Sequence, residues 1–284
     1  MSDDEQQLDD NLNATEILER VLYDADEEMS RGGRELLFSA LAAGIAITIT
    51  FLLYVSIAPN VESYVLAAVL YPLGFVYIIV GEYQLYTENT LPPVALTIER
   101  ISTVPSLLRT WIIILVGNVF GGIFGSICLY YGDVLSPEAS QFAIGLAQKG
   151  IEASFTSLFF KAMFAGIIVA CVVWMDFAVQ DSISRVVLVY IAFLSIPLGG
   201  LYHVVVSSTE LFYLFLATDA PILSSLIAFP LPVLLGNTVG GVLFVTLVNY
   251  FQTPTYVNEN ERVRLGWKEW LMTTNDSSKS EESE

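Results

Sequence analysis

The chain has 284 residues, 54% of them hydrophobic and only 15% charged, with a formal net charge of −18. That is too apolar for a soluble domain of this length, and it predicts an all-α integral membrane protein. One histidine and two cysteines, Cys128 and Cys171, with no CxxC pattern, argue against a His-rich metal site and a disulfide scaffold.

In chain order, residues 1–33 form an acidic head, expected as a cytoplasmic N-terminal segment. Its extreme N-terminus is acidic where a signal peptide needs positive charge, so none is expected. Six apolar runs follow at 36–58, 64–86, 111–131, 155–178, 186–206 and 231–251, each long enough to cross about 30 Å of hydrocarbon. They make residues 34–252 a six-span domain, and 253–284 an acidic C-terminal tail. The acidic, lysine-poor balance fits a surface in a high-salt cytoplasm; disordered acidic tails on an ordinary membrane protein would give the same count. With the N-terminus inside, the basic residues are cytoplasmic except Lys149, outside, and Lys161, within span 4, so both termini are expected in the cytoplasm of a cell-membrane protein.

The spans repeat. "FSALAAGI" at 38–45 in span 1 matches "FKAMFAGI" at 160–167 in span 4, "PLGF" at 72–75 matches "PLGG" at 197–200, and "GNVFGG" at 117–122 matches "GNTVGG" at 236–241. Three matches in one order at nearly one spacing indicate a duplicated three-span unit. Because each unit crosses three times, the second copy runs inverted relative to the first, an architecture common in transporters and channels.

Span 2 decays into "GEYQLYTENTLPP", and span 5 breaks at Pro197, Gly199 and Gly200 beside His203. Irregular backbone at membrane depth is tolerated only inside protein or along a wet cavity, so the path is expected between the two breaks. Gly117, Gly121 and Gly125 in span 3, with Gly236 and Gly240 in span 6, form smooth ridges for close helix packing. Asn118 and Asn237 are expected to hydrogen-bond across helices or to the broken segments, ahead of any ligand role.

His203, an ionisable group in an apolar run, is expected on the pathway rather than in packing. Lys161 reads equally as a snorkelling side chain or as a fixed charge gathering anions in an outer vestibule. Its repeat counterpart is Ser39, so any electrostatic trap is one-sided. Thr87, and Ser207 one turn beyond His203, offer hydroxyls to a small oxyanion. Glu82 is expected to satisfy backbone amides freed by the break. No Ser/His/Asp set and no phosphate-binding glycine loop with lysine is present, so no enzyme, metal or cofactor is expected.

Taken together, the six inverted spans, "LYTENT", the paired "GNVFGG" and "GNTVGG", "FKAMFAGIIVACVVWM" and the central histidine resemble the formate/nitrite transporter family, from about Arg34 to Gln252. The resemblance implies an aquaporin-like protomer with broken helices 2 and 5, a homopentamer with one substrate pore per subunit, membrane lipid at its centre, and small anions of weak acids, with protons, as partners. It also implies that Thr87 is the threonine of the span-2 loop, Leu85 and Tyr86 the bulky residues constricting the pore, His203 the central histidine and Lys161 the span-4 lysine. The chain departs from the family at Ser207, where asparagine is usual, at "GEYQLYT" in place of "GGELFT"-like sequence, and at Ser39, basic in some members. The rival expectations are a non-transporting scaffold or sensor on the same fold, and a channel for neutral solutes.

Overall fold

The computed structural model describes residues 12–253 and 264–273, all of whose regular structure is helical. The acidic first eleven residues and the stretch 274–284 lie outside the described residues.

The head is more than a charged segment. Ile17, Leu18, Val21, Leu22, Ala25 and Met29 recur at helical spacing between the acidic residues, and Ala14–Ser30 forms helix α1 with that stripe buried. Asn13 caps it: its Oδ1 accepts from the Glu16 amide at 3.1 Å, and Glu16 Oε2 accepts from the Asn13 amide at 2.8 Å. The stripe packs in one apolar cluster with Leu91, Val94, Ala95 and Leu96, so α1 lies on the bundle at the level of the first break.

Helix α2 (Gly33–Ile57) is the first crossing. The second is broken into α3 (Tyr64–Ala68), α4 (Leu73–Val80), an irregular stretch, a 3₁₀ turn at Glu88–Thr90 and α5 (Pro92–Ile98). Pro92 and Pro93 open α5, where a missing amide costs nothing. Helix α6 (Val104–Tyr131) is the third crossing. Helix α7 (Pro137–Glu152), absent from the sequence reading, lays Ala139, Ala143, Ala147 and Gly150 against the core at a spacing of one turn.

Helix α8 (Phe155–Ala178) opens the second half. Its broken element is α9 (Ser182–Leu198) followed by α10 (Val204–Ala217), so the fifth segment runs eleven residues beyond the expected end at 206. Polar Ser207, Ser208, Thr209 and Glu210 ended the apolar run early, although all four are buried in protein. The last crossing is α11 (Ile222–Ala228), α12 (Pro230–Val239), a π-helical stretch at Gly240–Thr246 and α13 (Leu247–Gln252). Among the described residues four helical stretches are long and apolar enough to span alone: Gly33–Asn60, Val104–Tyr131, Phe155–Ala178 and Ile222–Gln252. The other apolar helices are the pieces of the two broken elements.

The paired helices approach through glycine. A methyl group at Gly121 of α6 would stand 2.7 Å from Gly44 Cα of α2, and one at Gly240 would stand 2.9 Å from the Met163 carbonyl carbon of α8. Gly117 faces Ala40, Gly236 faces Ala162 and Gly125 faces Thr48 in the same way.

Within the stretch expected only as a tail, Trp267–Met272 forms α14. It is tied back by Trp270 Nε1 donating to the Thr97 carbonyl at 2.7 Å and by an Arg264–Glu99 ion pair at 2.8 Å.

Candidate functional site

Each break is held by one asparagine. Asn118 Nδ2 on α6 donates to the carbonyls of Ala40 and Gln84, both at 2.8 Å, while its Oδ1 accepts from the Tyr86 amide at 2.9 Å. Asn237 Nδ2 on α12 donates to the carbonyls of Ala162 at 2.7 Å and Tyr202 at 3.0 Å, and its Oδ1 accepts from the Val204 amide at 2.8 Å. In both halves a buried amide satisfies backbone groups on either side of a single residue of the break. That residue is Leu85 in the first half and His203 in the second.

The repeat shows a second divergence at Ser39 and Lys161. Ser39 Oγ accepts from the Gln84 amide at 3.1 Å. Lys161 instead lies over the ring of Tyr202, with Nζ 5.8 Å from the centroid. Glu82 does not satisfy the amides of the break: those of Gln84 and Tyr86 go to Ser39 and Asn118, because Glu82, at φ +54, is turned out to the exposed side.

His203 is the N-cap residue of α10 and is 1% exposed. Gly200, at φ +59, makes the turn that brings the chain to it. Nε2 is 2.8 Å from Thr87 Oγ1, so the two breaks meet through these side chains. The edge of Phe75, itself stacked on Phe193 at 3.9 Å, packs on the imidazole at 5.0 Å. Nδ1 is buried with no hydrogen-bond partner in the protein.

Two cavities flank this contact. One, about 100 Å³, is lined by Lys149, Lys161, Tyr202, His203, Ser207 and Glu210, with tyrosines from α2 and the start of the second crossing. The other, about 140 Å³, is lined by Asp24 and Glu28 of α1, by Glu82, Gln84 and Glu88 of the first break, and by Asp176 and Arg185. Lys161 and Asp176 lie at opposite ends of α8, about 22 Å apart along its axis. The cavities therefore open towards opposite ends of the bundle. Between them stand Leu85 at 0%, Thr87 at 1% and His203 at 1% exposure.

Six residues were expected on the path. Lys161, Ser207 and His203 share a cavity, Thr87 bonds to His203, and Leu85, two residues before Thr87, is fully buried. The Tyr86 hydroxyl lies 2.9 Å from Thr238 Oγ1 and its ring packs on Trp111; like Leu85 and Thr87, it lines neither cavity.

The sequence reading passed over two carboxyl groups. Glu28 of α1 accepts a hydrogen bond from Gln84 Nε2, which links the head to the first break. Burial and the neighbouring Asp24 push the Glu28 carboxyl up to about 7, from an ordinary 4.5. Asp24 is itself raised by burial, partly offset by Arg31. Glu210 was visible as the seventh residue after His203, a spacing that shares a helical face.

The sequence profile of the formate/nitrite transporter family matches residues 15–251, including α1. The inner membrane protein YfdC of Escherichia coli is 29% identical over 245 residues, 84% of this chain and 78% of that one. Among solved structures, an FNT family ion channel superposes with a TM-score of 0.78 at 18% identity, covering 84% of this chain and all of the other. A pentameric formate channel with formate bound gives 0.65 at 18% identity, over 78% of this chain and 97% of that one. With a profile match across most of its length and the same fold, this multi-pass membrane chain belongs to the formate/nitrite transporter family.

Proposed function

We propose that the chain conducts small monovalent anions of weak acids, such as formate or nitrite, and that they pass the narrowest zone as the neutral acid. The carrying observation is the Thr87–His203 contact, enclosed between two cavities that open at opposite ends. An unpaired charge at the bilayer centre costs between about 3 and more than 10 kcal/mol. Protonating a carboxylate of pKa about 4 at pH 7 costs about 4 kcal/mol. In a dry, apolar constriction protonation is the cheaper route.

Lys161 gathers the anion, Ser207 and Thr87 orient it, and His203 donates a hydrogen bond or relays the proton. Both termini are cytoplasmic, the Lys149/Lys161 cavity faces outside, and the working assembly in the cell membrane is a homopentamer. The pentameric state of the formate channel of the same fold supports the last point.

Proteoliposomes should swell rapidly in ammonium formate and not in ammonium sulfate. Absence of swelling in both would leave a non-transporting scaffold, and swelling in uncharged solutes independent of pH would mean a neutral-solute channel.

A further inference from the structure

Glu210 lies seven residues beyond His203 on α10, on the same face and about 10 Å further along the axis, with Ser207 between them. The residue is 7% exposed, and Oε2 is buried without a hydrogen-bond partner in the protein. It lines the Lys149/Lys161 cavity. The groups facing that cavity are Tyr54 of α2, Tyr64 and Tyr71 of the second crossing, Lys149 of α7 and Lys161 of α8, with Tyr202 and His203 at the second break. Tyrosines are neutral near pH 7. Both lysines are exposed, and among the described residues neither is ion-paired with Glu210. An ionised carboxyl so placed would give up its hydration without compensation, whereas a carboxylic acid there presents a proton to whatever enters.

We propose that Glu210 is the proton-exchange group of this cavity: its carboxylic acid protonates the entering anion, and the neutral acid so formed moves on to the Thr87–His203 contact. The inference rests on the weak-acid reading above and adds a residue and a selectivity to it. The step balances. The O–H bond of Glu210 breaks as an O–H bond forms on the anion, leaving Glu210 carboxylate and neutral acid, and hydronium from the bulk at the cavity mouth restores the proton to Glu210 and leaves water. Donor and acceptor are both carboxyls, so the cost of placing a carboxylate in this cavity falls on both sides of the transfer and the proton moves between chemically like groups. Anions of strong acids cannot take the proton, so chloride and nitrate are excluded by the same step.

The experiment measures formate uptake and internal acidification by full-length protein in proteoliposomes between pH 5 and 8. Failure of the wild type to move formate would overturn the weak-acid reading itself. With the wild type active, Glu210→Gln should lower formate flux at pH 7 by about a hundredfold, the size of a lost acid–base group, and recover as pH falls towards 5, where preformed formic acid needs no donor. Glu210→Asp should restore part of the flux at pH 7. A folded Glu210→Gln protein with wild-type flux and pH profile would overturn the proposal. Should Glu210→Gln fail to fold, dicyclohexylcarbodiimide, which attacks protonated buried carboxyls, is applied to the wild type at pH 7. Labelling mapped to Glu210, blocked by formate and abolishing flux, supports the proposal; full flux after complete labelling of Glu210 overturns it.

Discussion

A single imidazole, capped by one threonine hydroxyl and shielded by a phenylalanine edge, has its other nitrogen free of protein partners. Substituting His203 by Phe fills the volume and removes both nitrogens, so formate flux should fall to the protein-free background. His203→Asn keeps a donor of similar reach but cannot titrate; it should still conduct and lose part of its pH dependence. Wild-type transport by His203→Phe with an unchanged pH profile would make the imidazole a packing residue. Lys161 sits exposed at the cavity, over Tyr202. Lys161→Ala should weaken apparent anion affinity more than maximal flux, and wild-type affinity should fall with added salt more steeply than that of the mutant, because screening imitates loss of the charge. Equal salt sensitivity would leave Lys161 a snorkelling side chain. His203 and Lys161 were legible in the sequence because charge stands out against an apolar run. The direction of Tyr86 was not legible, because the residues of an irregular segment have no period from which to read it; its hydroxyl contact with Thr238 and its packing on Trp111 show where it points.

Among the helices, α1 illustrates how charge hides a pattern. Its buried stripe is present in the sequence, yet six acidic residues within Ala14–Ser30 drew the reading to composition. Helix α7 was passed over because its buried face is alanine and glycine, too small to register as apolar. The broken crossings were located correctly by their prolines and glycines, but their far ends were not, since polar side chains buried in protein look like loop. The contact of α1 with Gln84 carries a pH dependence. The Glu28 carboxyl is raised to about 7 in the folded chain, so the stability it lends is complete below about 4.5 and lost as pH rises through about 7. Hydrogen exchange of α1 amides, corrected for intrinsic rate, should therefore be slower at pH 6 than at pH 8, and Glu28→Gln should flatten the difference. The asparagines set a second test. Asn237→Leu leaves the Val204 amide and the Tyr202 carbonyl unpaired at the second break, at about 1–3 kcal/mol each, and should lower the thermal midpoint and the flux together. Retained stability with lost flux would shift its role from frame to path.

For the molecule as a whole, the distribution of basic residues along the chain makes a prediction about topology. Ser63 caps α3 in the short connection after the first crossing. On a background lacking Cys128 and Cys171, Ser63→Cys should react with an impermeant maleimide in intact cells; labelling only after the membrane is opened would reverse the orientation. Native mass spectrometry in mild detergent with lipid should give five copies, and a stable monomer would count against the pentamer. The duplicated asparagines have a consequence for how such a protein changes. Positions that build the frame, Asn118 with Asn237 and Gly121 with Gly240, come in twos and answer to the same geometry, so an edit to one is felt as a broken match. The positions proposed to meet the solute, Ser39 against Lys161 and Leu85 against His203, have already parted company between the copies. Duplication has left a chassis with one blank slot and one written slot at each place. New solute preferences are open to it through single substitutions in the blank half, Leu85 first among them, without disturbing what the written half already does.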